Sequence, residues 1–217
     1  GDSHARQYIF PVLNLAKNLN INLKTNILDS CISLPNLITK MPIWADHNYV
    51  KKCNEFYKVF IKENYESEFI FISYRWNNLL QNSDYIDKNI ETQIQTSLLS
   101  FINSFKPDTK FIILGNVPGS NYKWGFKECL LRKFKINKCE IKYDIEMGEF
   151  YEYNKIFEEL EKKQERIFFI NPYKVLCKKN DCFNLIDNKL IYSDHAHLTM
   201  FSSELLINKN KTRLTNF

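Results

Sequence analysis

The chain has 217 residues, of which 44% are hydrophobic and 25% are charged. These values are ordinary for a globular domain and exclude collagen-like, coiled-coil and disordered classes. The net charge is +5, but lysines alternate with acidic residues and form no long basic block, so nucleic-acid binding is not indicated. No apolar run approaches the ~20 residues that cross a bilayer. Composition therefore predicts one folded domain over residues 1–217.

Apolar and polar patterns along the chain predict alternating helices and strands. A first helix is expected from Ser3 or His4 to about Leu19, with Pro11 inside it as a point where it can kink. The further predicted elements, in order, are a strand around Ile21–Leu28, helix Tyr49–Lys62, strand Phe69–Tyr74, helix Asp84–Phe105, strand Lys110–Leu114, a short helix within Asn121–Lys138, helix Glu149–Glu165, strand Arg166–Ile170, a strand near Leu190–Tyr192 and a helix after His197. This alternation predicts a central parallel sheet in a three-layer α/β/α sandwich.

The six cysteines show no metal-binding spacing, since no C-x-x-C pair occurs and no histidine lies close to a cysteine pair. Three disulfides are favoured over six free thiols, and they imply an oxidising compartment. Several connectivities are open. The preferred one is sequential: Cys31 with Cys53, Cys129 with Cys139, and Cys177 with Cys182.

Polar groups follow the proposed strands at the end of the sheet where ligands bind in open parallel sheets. They supply a hydroxyl, a carboxylate, an imidazole and a side-chain amide, which are the groups that nucleophilic acyl transfer requires. The four groups are Gly1-Asp2-Ser3-His4, Ser73-Tyr74-Arg75-Trp76, Gly115-Asn116 and Ser193-Asp194-His195-Ala196-His197.

Two of these groups have competing interpretations. Ser3, at the start of a helix, is either a plain N-cap or a nucleophile beside free backbone N–H groups. The Asp194 carboxylate can bond one nitrogen of His197 and leave the other for a serine. A metal site formed by Asp194, His195 and His197 is disfavoured because no distant fourth ligand is evident. Asp46-His47 lies in an irregular Pro-rich stretch and is interpreted as surface.

The order of these blocks resembles a known family. Gly1-Asp2-Ser3-His4 followed by Asp194-x-x-His197-Leu198-Thr199 resembles the SGNH (GDSL-like) hydrolase superfamily. More narrowly, the chain resembles the SGNH domain fused to bacterial membrane acyltransferase-3 proteins. That resemblance is carried by Ser73-Tyr74-Arg75-Trp76, Leu114-Gly115-Asn116-Val117-Pro118, and Leu176-Cys177 through Cys182 leading into Tyr192-Ser193-Asp194.

The resemblance implies roles for individual residues. Ser3 would be the nucleophile, His197 the general base and acid, and Asp194 the residue that orients His197. The oxyanion hole would be formed by Ser3, Ser73 and Asn116. The chain departs from the superfamily at Ser73-Tyr74-Arg75, where a glycine is usual, and after Asn116, where Val117-Pro118 replaces the usual aspartate.

Four side chains near the site have a functional and a structural interpretation. Asn116 either donates to an oxyanion or is a turn residue before Pro118. Trp76 can stack on a sugar and Arg75 can bind an acidic sugar, or they are an edge-packing aromatic and a solvated charge. His4, beside the nucleophile, can touch an acceptor but needs no such role.

Members of the resembled group O-acylate, usually O-acetylate, cell-surface polysaccharides. The implied function is therefore an O-acyltransferase domain, with a carbohydrate O-acetylesterase or an inactive glycan-binding module as alternatives. The implied partners are the membrane acyltransferase-3 domain and a glycan acceptor. No cofactor is expected on this domain, and the acyl group would derive from acetyl-CoA through the membrane domain.

The resemblance also implies a periplasmic location, in agreement with the cysteines. In this fold the first strand ordinarily ends at the position of Gly1. We therefore expect the chain to be the C-terminal part of a longer membrane protein, with that strand cut away.

Overall fold

The computed structural model describes residues 1–37, 45–76, 88–123, 125–131, 139–145 and 151–217. Its helices are α1 (Ser3–Arg6), α2 (Ile9–Asn18), α3 (His47–Asn64), α4 (Lys88–Ile102), α5 (Phe126–Leu131), α6 (Tyr151–Lys163), α7 (Tyr173–Leu176) and α8 (Met200–Asn216). Its strands are β1 (Phe69–Ser73), β2 (Lys110–Leu114), β3 (Lys142–Asp144), β4 (Ile167–Ile170), β5 (Cys177–Lys178), β6 (Asp181–Phe183), β7 (Leu185–Ile186) and β8 (Lys189–Leu190).

The central sheet is parallel, in the order β1-β2-β4. Both of its faces are covered, which explains why β2 reads as a continuous apolar run. Phe111 and Ile113 pack into the layer of α3, α4 and α6, whereas Ile112 and Leu114 pack into the layer of α2 and α8. The predicted three-layer sandwich is thus confirmed.

The carboxyl ends of the three strands lie level with one another at one end of the sheet. Ser73, the last residue of β1, is in register with Leu114, which is in register with Ile170. The residues that follow the strands therefore start at the same end of the sheet. They are Tyr74 to Trp76, Gly115-Asn116 and Asn171. The candidate site lies at this carboxyl end of the sheet.

The first predicted helix is broken in two. Helix α1 ends at Arg6 and α2 begins at Ile9. Pro11 has no N–H to donate to the carbonyl of Gln7, and its ring would clash with that carbonyl in a continuous helix. The proline is instead accommodated in the first turn of α2, so the predicted kink is a break located upstream of Pro11.

The predicted strand at Ile21–Leu28 is wrong. The segment forms no regular secondary structure, and residues 21–27 line a cleft of about 540 Å³ together with Phe69–Ser73 of β1. With the cleft between them, the segment has no strand edge to pair with. It is held at its ends, where Leu28 N–H donates to Gly1 O at 2.9 Å and Ile21 N–H donates to Ala16 O at 2.8 Å.

A smaller antiparallel sheet, β3-β6-β5, and strand β7, which pairs with β8 in a hairpin, were not predicted. The disulfides form sequentially: Cys31–Cys53, Cys129–Cys139 and Cys177–Cys182. The third bridge joins directly opposed residues of β5 and β6. The strand predicted near Leu190–Tyr192 is present as β8, followed by a single bridge between Tyr192 and Leu198.

The other predicted helices are present. Helix α3 extends beyond the predicted bounds at both ends, and α8 begins after His197 as expected. The start of the helix predicted from Asp84, residues 149 and 150, and parts of 121–138 lie outside the described residues. Within the described ranges, no helix combines the length and apolarity that a membrane crossing requires.

Candidate active site

Ser3 is the first residue of α1, and it is not the N-cap. The cap is Asp2, whose carboxylate accepts the His4 N–H at 2.9 Å. Asp2 is fully buried. The N-cap interpretation of Ser3 is therefore wrong, because the neighbouring aspartate takes that role and leaves the Ser3 hydroxyl for another partner.

The partner of the Ser3 hydroxyl is a histidine from the other end of the chain. His197 Nε2 lies 3.2 Å from Ser3 Oγ, and His197 Nδ1 lies 2.9 Å from Asp194 Oδ2. Because a carboxylate only accepts, Nδ1 carries the proton of the neutral ring and Nε2 is left as an acceptor for the serine O–H. The structure thus brings Ser3, His197 and Asp194 together in a serine–histidine–carboxylate chain.

Asp194 is held by its own loop. Its Oδ1 accepts the backbone N–H groups of Ala196 and His197, both at 2.8 Å. Partial burial raises the pKa of this carboxyl, but the two N–H donors and the nearby His197 outweigh it, so the net shift is downward. The carboxylate therefore stays ionised, as it must to hold the Nδ1 proton of His197.

Two contacts hold the histidine loop in place. Leu198 N–H donates to Gln7 Oε1 at 2.6 Å, and Gln7 lies one turn after Ser3. On the other side, Ser120 N–H donates to His195 O at 2.8 Å. The first of these contacts joins the two ends of the chain close to where the Ser3 hydroxyl meets the His197 imidazole.

His4 packs beside this chain of groups but does not face solvent. It is 4% exposed, and its ring centroid lies 4.6 Å from that of His197. Burial, the largest cause, and the nearby side chains of His197 and Arg75 lower the pKa of His4 to about 3. His4 is therefore a neutral packing partner, and the interpretation of it as an acceptor contact is wrong because no acceptor can reach it.

The residues after β1 are tied down by their backbone N–H groups. Arg75 N–H donates to Asp2 Oδ2 at 2.9 Å, and Trp76 N–H donates to Asn116 Oδ1 at 3.0 Å. The Ser73 hydroxyl is buried and has no partner among the described residues. Arg75 is partly exposed.

The prediction that Trp76 stacks on a sugar is wrong. Trp76 is 0% exposed, and its Nε1 donates to Leu114 O at 3.2 Å. Its ring packs against Phe157 at 4.5 Å and Tyr74 at 5.2 Å between centroids. A ring closed in on all sides belongs to the core and cannot contact a glycan.

Asn116 is buried with one half of its amide engaged. Its Oδ1 accepts from Trp76, whereas its Nδ2 has no hydrogen-bond partner among the described residues. A buried N–H donor without a partner is rare and costly in a folded protein. Side-chain amide N–H groups are among the donors that oxyanion holes use.

Asp46 and His47 are exposed, as expected for surface residues. Asp46 caps α3, accepting the Tyr49 N–H at 2.7 Å. Across the described ranges, no group of three or more histidine, cysteine or acidic side chains is arranged to hold a metal ion.

Sequence reasoning missed three residues that organise the site. They are Asp2, Gln7 and Asn154, whose amide bonds the backbone of Asn116. One signal was available for Asn154, because it interrupts the apolar face of α6 that includes Ile156 and Phe157. A polar residue on an otherwise buried face needs a specific partner.

Comparison with known proteins agrees with this fold. The model of a family described as SGNH domain (fused to AT3 domains) matches residues 1–209. Among solved structures, the chain is similar to the periplasmic domain of a lipopolysaccharide acetyltransferase from Salmonella ser. Paratyphi A, with 18% identity and a TM-score of 0.70 over 99% of this chain and 81% of that chain. No curated protein sequence matches the chain. Since the family model covers nearly its whole length, the chain belongs to the family of SGNH domains fused to AT3 domains.

Proposed function

We propose that this domain is an O-acyltransferase, most simply an O-acetyltransferase, that passes an acyl group through Ser3 to a hydroxyl of a cell-surface polysaccharide. The observation that carries the proposal is the hydrogen-bonded chain from Ser3 Oγ to His197 Nε2 (3.2 Å) and from His197 Nδ1 to Asp194 Oδ2 (2.9 Å). Membership of a family fused to AT3 domains and the likeness to an acetyltransferase's periplasmic domain support it.

The first half-reaction forms an acyl-enzyme. Ser3 Oγ attacks the carbonyl carbon of the acyl donor while His197 Nε2 takes the hydroxyl proton. Asp194 stabilises the resulting imidazolium. Three donors stabilise the negative charge on the tetrahedral oxygen: the Ser3 backbone N–H, the unpartnered Nδ2 of Asn116 and the backbone N–H of Ser73. Collapse expels the donor's leaving group, which takes the proton from His197.

The second half-reaction reverses these steps with a sugar hydroxyl. His197 Nε2 removes the proton of that hydroxyl as its oxygen attacks the acyl carbon, and the Ser3 oxygen leaves with the proton. The partly exposed Arg75 is a candidate for binding an acidic sugar at the same end of the sheet. The acyl-enzyme goes to sugar rather than water only if an acceptor is positioned and water is excluded.

The family's fusion to AT3 domains suggests the source of the acyl group. We propose that a membrane acyltransferase-3 domain delivers it from acetyl-CoA, so that this domain binds no cofactor of its own. The three disulfides suit an extracytoplasmic location, here proposed to be the periplasm.

A carbohydrate O-acetylesterase with the same residues is a second candidate. The side chains of His197 and Asp194 are 32% and 42% exposed, so water can reach them. Hydrolysis of an acyl-Ser3 intermediate would need no further group.

The test is transfer to a glycan. The protein is incubated with p-nitrophenyl acetate and a bacterial surface polysaccharide from which ester groups have been removed by mild base, and acetyl groups on the glycan are measured by mass spectrometry. We expect glycan acetylation in the wild type, none in Ser3→Ala, and wild-type levels in Ser104→Ala. Ser104 is a suitable control because its hydroxyl donates to a backbone carbonyl, that of Ser100, at 2.9 Å. Release of acetate alone would identify the esterase, and turnover that persists without Ser3 would contradict both candidates.

A further inference from the structure

Asn154, on α6, is fully buried and uses both halves of its amide on one residue. Its Oδ1 accepts the Asn116 N–H at 2.9 Å, and its Nδ2 donates to the Asn116 carbonyl at 3.0 Å. One side chain thus holds the backbone on both sides of the Asn116 Cα. Because that grip fixes the direction of the Cα–Cβ bond, it also fixes where the Asn116 side chain points.

The orientation of the Asn154 amide is itself determined by its neighbours. Nδ2 also approaches Asn171 Oδ1 at 3.4 Å, so the donor half must face Asn171 and the acceptor half the Asn116 N–H. Asn171 is anchored in turn, since its Oδ1 accepts the Tyr173 N–H at 3.0 Å and its Nδ2 donates to Glu158 at 3.0 Å. A flipped amide would place like groups against each other at each contact.

The backbone before Asn116 is shaped to admit this side chain. A Cβ on Gly115 would lie 2.5 Å from Asn154 Oδ1 and 2.9 Å from the Phe169 ring, closer than real Cβ atoms approach other atoms. Glycine is therefore required for α6 to bring Asn154 against the end of β2. The close approach serves a contact to Asn116 and to no substrate group.

We propose that Asn154 is a positioning residue for the oxyanion donor. By clamping the backbone of Asn116, it fixes the position of the side chain whose unpartnered Nδ2 the proposed reaction uses as an oxyanion donor. The inference rests on the proposed function, because it needs an acyl-transfer reaction at Ser3. It assigns Asn154 no contact with substrate.

The test compares Asn154→Ala in two backgrounds, wild type and Asn116→Ala, by kcat and KM for p-nitrophenyl acetate. Removal of an oxyanion donor lowers kcat roughly 10²–10³-fold, and a misdirected donor should cause much of that loss. We expect kcat to fall about 10- to 100-fold in the wild-type background with KM within about twofold. In the Asn116→Ala background, we expect a further fall of less than about threefold, because the donor to be positioned is already gone.

Two further variants separate positioning from general damage. Asn154→Asp keeps the acceptor for the Asn116 N–H but places a second acceptor against the Asn116 carbonyl, so we expect the same kcat loss even where the alanine variant folds poorly. Asn210→Ala, which removes a buried amide bonded to Leu206 O within α8, is the matched control and should leave kcat unchanged.

An equal loss of kcat in both backgrounds would overturn the inference, as would wild-type kcat in folded Asn154→Ala and Asn154→Asp. Absence of Ser3-dependent turnover in the wild type would instead refute the proposed function itself, so the two failures are distinguishable.

Discussion

Lowering the pH from 7 to 5 is expected to destabilise the protein through the buried His4. Burial lowers the pKa of His4 to about 3 in the folded state, whereas a histidine in the unfolded chain titrates near ~6.5. Between these two pKa values, His4 binds a proton in the unfolded state but not in the folded state, so the free energy of unfolding falls as the pH drops. From pH 7 to pH 5 the loss is about 2 kcal/mol, or about 4–8 °C in Tm for a chain of this size.

The assay is thermal unfolding at pH 7 and pH 5 for the wild type, His4→Leu and His47→Leu. Only the difference between the two pH values is compared, so any loss of packing in a variant cancels. His4→Leu should lose about 4–8 °C less than the wild type on acidification. His47 is exposed at the start of α3, and its variant should behave like the wild type. If acidification lowered the Tm of His4→Leu as much as that of the wild type, the burial of a neutral His4 beside His197 would be refuted.

Four further predictions concern the site and its support. Asp194→Asn should lower kcat about 10³–10⁴-fold, because an amide N–H facing Nδ1 moves the ring proton of His197 to Nε2; ester turnover within tenfold of wild type would contradict this. Asp194→Ala should in addition lower Tm by about 2–6 °C in calorimetry, because the loop N–H groups lose their acceptor. Gln7→Met removes the acceptor that ties the histidine loop to α1 and should lower kcat about tenfold, whereas unchanged turnover would show that the contact does not position His197. Trp76→Ala should cost about 3–5 kcal/mol of stability in chemical unfolding, and a variant of wild-type stability would contradict the core position of this ring.

The sheet and its layers could be predicted because their signal is local. The run Phe111–Leu114 is apolar at consecutive positions, as is typical of a strand covered on both faces, and the observed strand has the predicted bounds, Lys110–Leu114. The close spacing of Cys177 and Cys182 likewise favours a bridge across a hairpin, which the structure forms. In both places, neighbouring residues alone determine the outcome.

The errors arise where tertiary packing decides. Trp76 follows a strand in a polar block, and only the position of α6 shows that its ring is enclosed. Ser3 and Asp2 are both good N-caps, and the choice depends on Arg75, which offers Asp2 a second donor from β1's end. Ile21–Leu28 has the composition of a strand but no edge to pair with. No local pattern contains this information.

The Asn116 support was missed for a similar reason. Asn154 and Asn171 lie on separate elements, and their sequence spacing from Asn116 follows no motif. Their role depends on three amides meeting at the ends of β2 and β4. The polar interruption of α6 indicates that Asn154 has a buried partner, but only the fold shows which one.

The most direct test of the central claim is the intact mass of the protein after brief incubation with an activated acetyl ester, for the wild type and Ser3→Ala. We expect one added acetyl group on the wild type, located on the peptide that contains Ser3, and none on the variant. The label should form more slowly in Asp194→Asn. No label on the wild type between about pH 6 and 9, or equal labelling of Ser3→Ala, would contradict the assignment of Ser3 as the nucleophile.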